Sequence, residues 1–239
     1  MSAGGEKSMR SLCIVMRTAN YRENDKMLSL FSRDSGRIDA LARGCRKDTS
    51  SLLSSTDVFC CADFSFTISK DRYYVTQAEL KNSFFGLRKN MSSLLTAMVL
   101  IEIAEKIVMP HEGNPRLFAL LASALHALSN GEDSDKVLIF FSFKLLDNQG
   151  MRPVTDECTV CGRAPADRLS ILSGGTVCDE HDGIDVPHFY IESIRKILET
   201  PSKDLMTCRF EYDKVLAKLS LDWVRTAFDL ELKSAELVK

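Results

Sequence analysis

Long uninterrupted apolar runs are missing from this sequence. The best candidate, residues 91–108, is broken by Glu102, Glu105 and Lys106, so it reads as a buried helix and no membrane span is expected. Residues 1–10 are small and polar and contain no apolar leader segment. The sequence has no G-x-x-x-x-G-K-[ST] loop to cradle phosphates and no G-x-S-x-G elbow to expose a nucleophilic serine. Histidine is scarce, at four residues. His111-Glu112 has no second histidine four residues after the first, as a zinc-protease helix needs, and it sits between Pro110 and Gly113 as an exposed turn would. His126 lies in an apolar helical stretch and reads as a packed or half-exposed side chain without a functional role. A zinc deaminase needs H-x-E together with P-C-x-x-C. No H-x-E occurs, and the residue before Cys158 is Glu157.

What is present is ordinary in bulk and uneven in detail. The 239 residues suffice for one large domain or two smaller ones, and 45% hydrophobic with 27% charged residues suits a globular chain. The formal net charge is −2. Residues 1–90 nevertheless carry 15 Lys/Arg against 10 Asp/Glu, and the remainder carries 16 against 23. An N-terminal excess of positive charge fits contact with a polyanion through that part alone. Eight cysteines without a leader segment fit a reducing cytoplasm, with metal rather than disulfides using the paired ones.

The apolar pattern changes period once along the chain. Residues 11–19, 27–33, 37–43, 56–69 and 72–80 read as strands. Ile38 and Ala40 share one face, as do Phe64, Phe66 and Ile68. Asp34-Ser35-Gly36 and Lys70-Asp71 read as hairpin turns, and residues 44–55 as a mobile loop. Five strands in about 70 residues suggest a small barrel, and the five-stranded OB-fold commonly binds nucleic acid strands. From residue 90 the period becomes helical. Asn114-Pro115 reads as an N-cap with proline at the first helical position, Ser134 as the cap of the next helix, and Pro187 as the opening of a short helix to Leu198. Residues 210–238 are amphipathic and hold the single tryptophan, Trp223. The expected fold class is α+β. An N-terminal five-stranded OB-fold β-barrel over residues 1–80 precedes a helical domain over 81–239, with a zinc knuckle inserted at about 153–184.

Two constellations carry chemistry. Cys158-Thr159-Val160-Cys161 and Cys178-Asp179-Glu180-His181 are two pairs with the two-residue gap that lets both side chains of a turn reach one metal. Gly162 and Gly174-Gly175 supply the backbone freedom such turns need. Three thiolates and an imidazole fill all four positions around zinc, which makes a structural staple; a catalytic zinc keeps one position open. His188 is the alternative fourth ligand. A redox C-x-x-C belongs at a helix start after a strand, whereas Cys158 follows a proline-containing loop. The second constellation is basic. Arg17, Arg22 and Lys26 bracket the first inter-strand loop, Arg33 and Arg37 flank the next turn, and Arg43, Arg46 and Lys47 open the long loop. In a small barrel, loops converge and can line several cations along a strand of phosphates. Tyr73 and Tyr74 point in opposite directions, so one can offer a stacking face while the other enters the core.

An ordered series of segments resembles the RecO family of bacterial recombination mediators. It comprises residues 17–26 (R-T-A-N-Y-R-E-N-D-K), 30–38 (L-F-S-R-D-S-G-R-I), 42–47 (A-R-G-C-R-K), 76–80 (T-Q-A-E-L), 114–118 (N-P-R-L-F) and 158–163 (C-T-V-C-G-R), with Gly174-Gly175 before Cys178. The resemblance runs from about residue 10 to 200. It implies an OB-fold, a helical domain with a zinc knuckle, and no enzymatic turnover. It further implies binding of single- and double-stranded DNA, annealing of complementary strands and a cytoplasmic, nucleoid-associated location. Its partners would be RecR, the acidic apolar C-terminal tail of single-strand-binding protein (SSB) and, indirectly, the RecA recombinase in the RecF pathway. By the same analogy the DNA cations are Arg17, Arg22, Lys26, Arg37, Arg43, Arg46 and Lys47. His181 stands where many relatives have cysteine, which leaves a plausible site with one negative charge less. An OB–zinc RNA-binding module is the alternative reading.

Overall fold

β-Strands with one face turned inward build the first part of the chain. In the computed structural model, which describes residues 7–237, β1 (Lys7–Tyr21) pairs antiparallel with β2 (Asp25–Ser32), and β2 with β3 (Gly36–Ala42). β4 (Cys61–Ser69) and β5 (Arg72–Asn82) form a second hairpin. Its two turn residues, Lys70 and Asp71, have φ of 50° and 59°, the left-handed pair that matches the twist of a tight hairpin. β1 also pairs with β4, and β3 meets β5 through a short parallel ladder, Ala40 opposite Tyr73 and Leu41 opposite Tyr74. The order β1-β2-β3-β5-β4 returns to β1, so each strand has a neighbour on either side.

Alternation fills the interior. Leu28, Leu30, Ile38, Ala40, Phe64 and Phe66 are buried together with Cys13 and Val15, while Asp39 faces outward. β1 is longer than its apolar run because it pairs with two partners in succession: Lys7–Ile14 with β4, then Cys13–Tyr21 with β2. Two expectations need correction. Residues 56–60 are a turn, not the start of a strand: Phe59 has φ of 78° and Cys60 N–H donates to Asp57 O. The loop after β3 is anchored by its own apolar residues, since Cys45 and Leu52 are buried in the same core.

The chain divides into two compact units that interleave in sequence, residues 1–85 with 101–118, and residues 86–100 with 119–239. Within the first, the ring of Phe118 meets Phe31 edge-on at 5.4 Å. Gly36, at φ 66°, brings its backbone against that of Met109 and Glu112, where a Cβ would lie 2.1 Å from Met109 O. The adjacent Arg37 N–H donates to the same carbonyl.

Helices α1 (Met91–Ile107), α2 (Pro115–Ser129), α3 (Ser134–Asn148), α4 (His188–Glu199) and α5 (Lys214–Ala227) follow. Asn114 caps α2, its side chain accepting from Leu117 N–H. α3 is capped by Asp133 and not by Ser134: the carboxylate accepts from the N–H of both Asp135 and Lys136. α3 is buried along most of its length and packs on α4 and α5, with Phe143 edge-on to Trp223 at 5.7 Å. α5 is shorter than its amphipathic pattern. Asp213 starts it by accepting from Leu216 N–H, and Asp229, at φ 51°, stops it while Leu230 N–H returns to Arg225 O. Between α3 and α4 lies a small sheet in the order β7-β6-β8, built from β6 (Arg168–Ser170), β7 (Gly175–Val177) and β8 (Ile184–Asp185). The architecture is α+β, a five-stranded N-terminal sheet followed by a mainly helical part.

Candidate metal centre and nucleic-acid interface

Each half of the cysteine-rich segment is a turn closed by its own backbone. Gly162 N–H donates to Cys158 O, and Cys158 N–H donates to Arg163 O, with Gly162 at φ 71°. In the second half His181 N–H donates to Cys178 O. Thr159 N–H to Thr176 O ties the halves together, and Thr176 Oγ1 donates to Glu157 O. The ligating atoms of Cys158, Cys161, Cys178 and His181 all lie within 4.8 Å of one another. Cys161 Sγ is 3.8 Å from Cys178 Sγ, and His181 Nδ1 is 3.2 Å from Cys178 Sγ and 3.5 Å from Cys158 Sγ. Zinc–sulfur bonds of about 2.3 Å at tetrahedral angles put two sulfurs about 3.8 Å apart. The quartet therefore fits one tetrahedral ion of zinc's size and softness. Exposed His188 stands apart from it, its Nδ1 3.4 Å from the Glu192 carboxylate.

The electrostatics also suit a cation. Burial raises the Cys158 thiol, but the amides of Cys178, Cys161 and Val160 outweigh it and bring the group down to about 6. Cys178 is raised, first by burial and further by its two cysteine neighbours. Thiolates that repel one another in a shared site are the arrangement a bound cation relieves. The apolar content of the segment is small: its buried cluster is Cys158, Ala166, Val177 and Cys178. Outside the quartet, Arg163 pairs with Glu180 at 2.7 Å. Arg168 donates to His181 O at 3.1 Å and to Asp185 at 3.0 Å.

The predicted DNA cations separate into two groups. Arg22, Arg43 and Lys47 line one cleft of about 550 Å³ where the β1–β2 turn meets the end of β3. Arg46 stands beside it, its guanidinium bound to Glu23 O and its N–H to Asn24 O. The other three lie elsewhere or are engaged. Arg17 reaches Glu105 at 3.2 Å. Lys26 holds Asp57 at 2.9 Å with only 13% of its side chain exposed. Arg37 is half-buried at the far end of β3. Two rings join these cations, Tyr74 from the expected pair and Tyr21, which the sequence did not single out. Arg43 lies over the ring of Tyr74 at 4.8 Å and Arg22 over that of Tyr21 at 5.4 Å. Tyr73 turns the other way, packing on the core and meeting Phe66 edge-on. Period-2 alternation distinguishes Tyr73 from Tyr74, but it does not say which one faces in.

In the helical unit, a cavity of about 1090 Å³ opens where α1, α3 and α5 begin. Leu138 and Leu221 are among its apolar residues, with Lys214, Lys218, Asp133 and Asp135 among its charged ones. The Asp135 carboxyl is raised, chiefly by burial and then by Asp133.

Two family models, both of a recombination protein, match this chain. The family model for the N-terminal part of Recombination protein O matches residues 7–84, and the model for its C-terminal part matches residues 88–193. Among similar proteins, the DNA repair protein RecO of Alkaliphilus metalliredigens is 34% identical over 174 residues, covering 72% of this chain and 71% of the relative. That of Caldicellulosiruptor saccharolyticus is 26% identical over 240 residues, covering 98% of each. That of Syntrophomonas wolfei is 31% identical over 173 residues, covering 71% of this chain and 68% of the relative. The chain belongs to the RecO family, and that membership supports a role in DNA repair and recombination. Among the described residues no helix is long and apolar enough to cross a membrane.

Proposed function

We propose that this chain is a DNA-binding recombination mediator without enzymatic turnover. It binds and anneals complementary single strands and, with RecR, helps load RecA onto single-stranded DNA coated by SSB. The observation that carries the reading is the gathering of Arg22, Arg43, Arg46 and Lys47 at one end of the five-stranded sheet. That sheet has the strand order of an OB-fold barrel, whose loops and faces bind single strands. Cations grouped there neutralise phosphates and release their counterions. The same cations bind two complementary strands without regard to sequence and lower their mutual repulsion, which favours annealing. Duplex DNA is a second ligand through the same charges.

Cys158, Cys161, Cys178 and His181 would hold one structural zinc. Its chemistry there is coordination only: four protein ligands leave no position for a reacting water. The ion pins a segment with few apolar residues of its own. The acidic tail of SSB would bind in the helical unit, where the cavity at the start of α5 has apolar Leu138 and Leu221 and basic Lys214, Lys218 and Arg225 among its lining residues, next to acidic Glu132, Asp133, Asp135 and Asp222. The setting is the bacterial cytoplasm, at the nucleoid. One preparation tests the reading: zinc content, binding to a labelled oligonucleotide at low salt, and annealing of complementary strands with and without SSB. An RNA of the same sequence serves as comparison. Failure to bind or anneal DNA overturns the proposal, and preference for RNA transfers it to the alternative module.

A further inference from the structure

The cleft between the β1–β2 turn and the end of β3 carries charges of both signs. Its cations are Arg22, Arg43 and Lys47, but Glu23 and Asp25 line it as well. Asp25 already accepts from Gly44 N–H at 2.7 Å. Beside the phosphate-binding cations, these carboxylates can accept from the amino and imino groups on a base edge. Both arginines are backed by an aromatic ring, Arg43 by Tyr74 and Arg22 by Tyr21. A guanidinium resting on a ring is a flat cationic plate whose other face is a stacking surface for a base. The volume of about 550 Å³ is enough for one base with its sugar. Lys47 in the cleft and Arg46 beside it add further positive charge for the backbone.

We propose that this cleft receives an unpaired base of single-stranded DNA, with Arg43 on Tyr74 as the principal stacking plate, while the surrounding cations track the phosphates. The inference rests on the DNA-binding reading above and deepens it, because it gives the site a means of preferring unpaired strands. A paired base keeps its edge and both faces covered and cannot enter. Base stacking of this kind tolerates any sequence, since every base has a flat face.

The test separates base from backbone. An oligothymidine and an oligonucleotide of equal length carrying abasic sugars present the same phosphates. The full-length protein should bind the first about tenfold or more tightly than the second, in line with the loss of a stacked base. Arg43→Lys keeps the charge but removes the plate, and Tyr74→Leu removes its support. Each should bring the ratio down to about two or less while leaving the salt dependence of binding within error. Arg22→Lys, on an exposed residue, is the second variant should Tyr74→Leu fold poorly by thermal melting. Equal binding of the two oligonucleotides by the unaltered protein overturns the base cleft and leaves the DNA-binding reading standing. So does a ratio that survives Arg43→Lys. Absence of binding to either oligonucleotide overturns the DNA-binding reading itself.

Discussion

Raising salt from about 50 to about 200 mM should weaken binding to single-stranded DNA roughly fifty-fold, and not by the roughly nine-hundred-fold that seven phosphate contacts would give. The difference comes from how the basic side chains stand. Arg22, Arg43, Arg46 and Lys47 are exposed and close together. Lys26 is spent on Asp57, Arg17 lies against Glu105, and Arg37 is half-buried at the opposite end of its strand. Each cation that displaces a counterion adds about 0.7 to the negative slope of log affinity against log salt on a single strand. Four therefore give a slope of about −2.8 and seven about −4.9. Lys47→Ala should lower the steepness by about 0.7, and Lys26→Ala by less than about 0.2. Fluorescence anisotropy of a dye-labelled oligothymidine, titrated at five or so salt concentrations, measures all three proteins. A slope near −5, or a change with Lys26→Ala as large as with Lys47→Ala, would refute the division of the cations.

Chelation of the metal should expose residues 154–185 to hydrogen exchange while the amides of β1–β5 stay protected, and Cys158→Ser should reproduce the effect without chelator. While free zinc stays well above its dissociation constant, each tenfold drop should cost the segment about 1.4 kcal/mol of apparent stability, and a pattern indifferent to chelator would remove the staple. Gly36→Ala should destabilise by about 3 kcal/mol, since its φ of 66° is costly for alanine and the new Cβ meets Met109 O. A shift under about 1 kcal/mol in a denaturant melt would show that the loop yields easily. Burial, and then the hydrogen bond to and charge of Asp213, raise the Tyr190 phenol to about 12, above an unfolded value of about 10. A raised phenol favours the fold while neutral. Its contribution is thus complete below about pH 10 and is lost as pH climbs towards about 12. The alkaline fall in stability should be shallower in Tyr190→Phe; an unchanged limb would place the titration elsewhere.

Much of this was legible where a short period or a fixed spacing carries the information. Ile38 and Ala40 inside with Asp39 outside, the tight turn at Lys70-Asp71 and the Asn114 cap all follow from local chemistry that tertiary structure leaves intact. The pairs Cys158/Cys161 and Cys178/His181 were legible because a metal knuckle demands that spacing. The strands β6, β7 and β8 were not: two or three residues are too few to show alternation. Residues 208–213 keep apolar side chains, Phe210 and Tyr212, on an irregular backbone, and the pattern passes for a helix until Asp213 restarts the hydrogen bonding. The grouping of the cations depends on register. β1 against β2 and β2 against β3 place Tyr21, Asp25 and Ala42 at one end, and that placement sends Arg43–Lys47 to join Arg22 and carries Arg37 away.

The interleaving of the two units has a consequence for anyone who would take the protein apart. The chain crosses between them at 85–86, 100–101 and 118–119, so no single scission yields two self-sufficient pieces. A fragment ending at residue 85 keeps every strand of the five-stranded sheet but forfeits the ring of Phe118 over Phe31 and the Met109 carbonyl that receives Arg37 N–H. It should therefore be sticky and poorly soluble. The two family models meet between residues 84 and 88, but the chain passes between the units three times, so that junction is not a line along which the molecule can be divided.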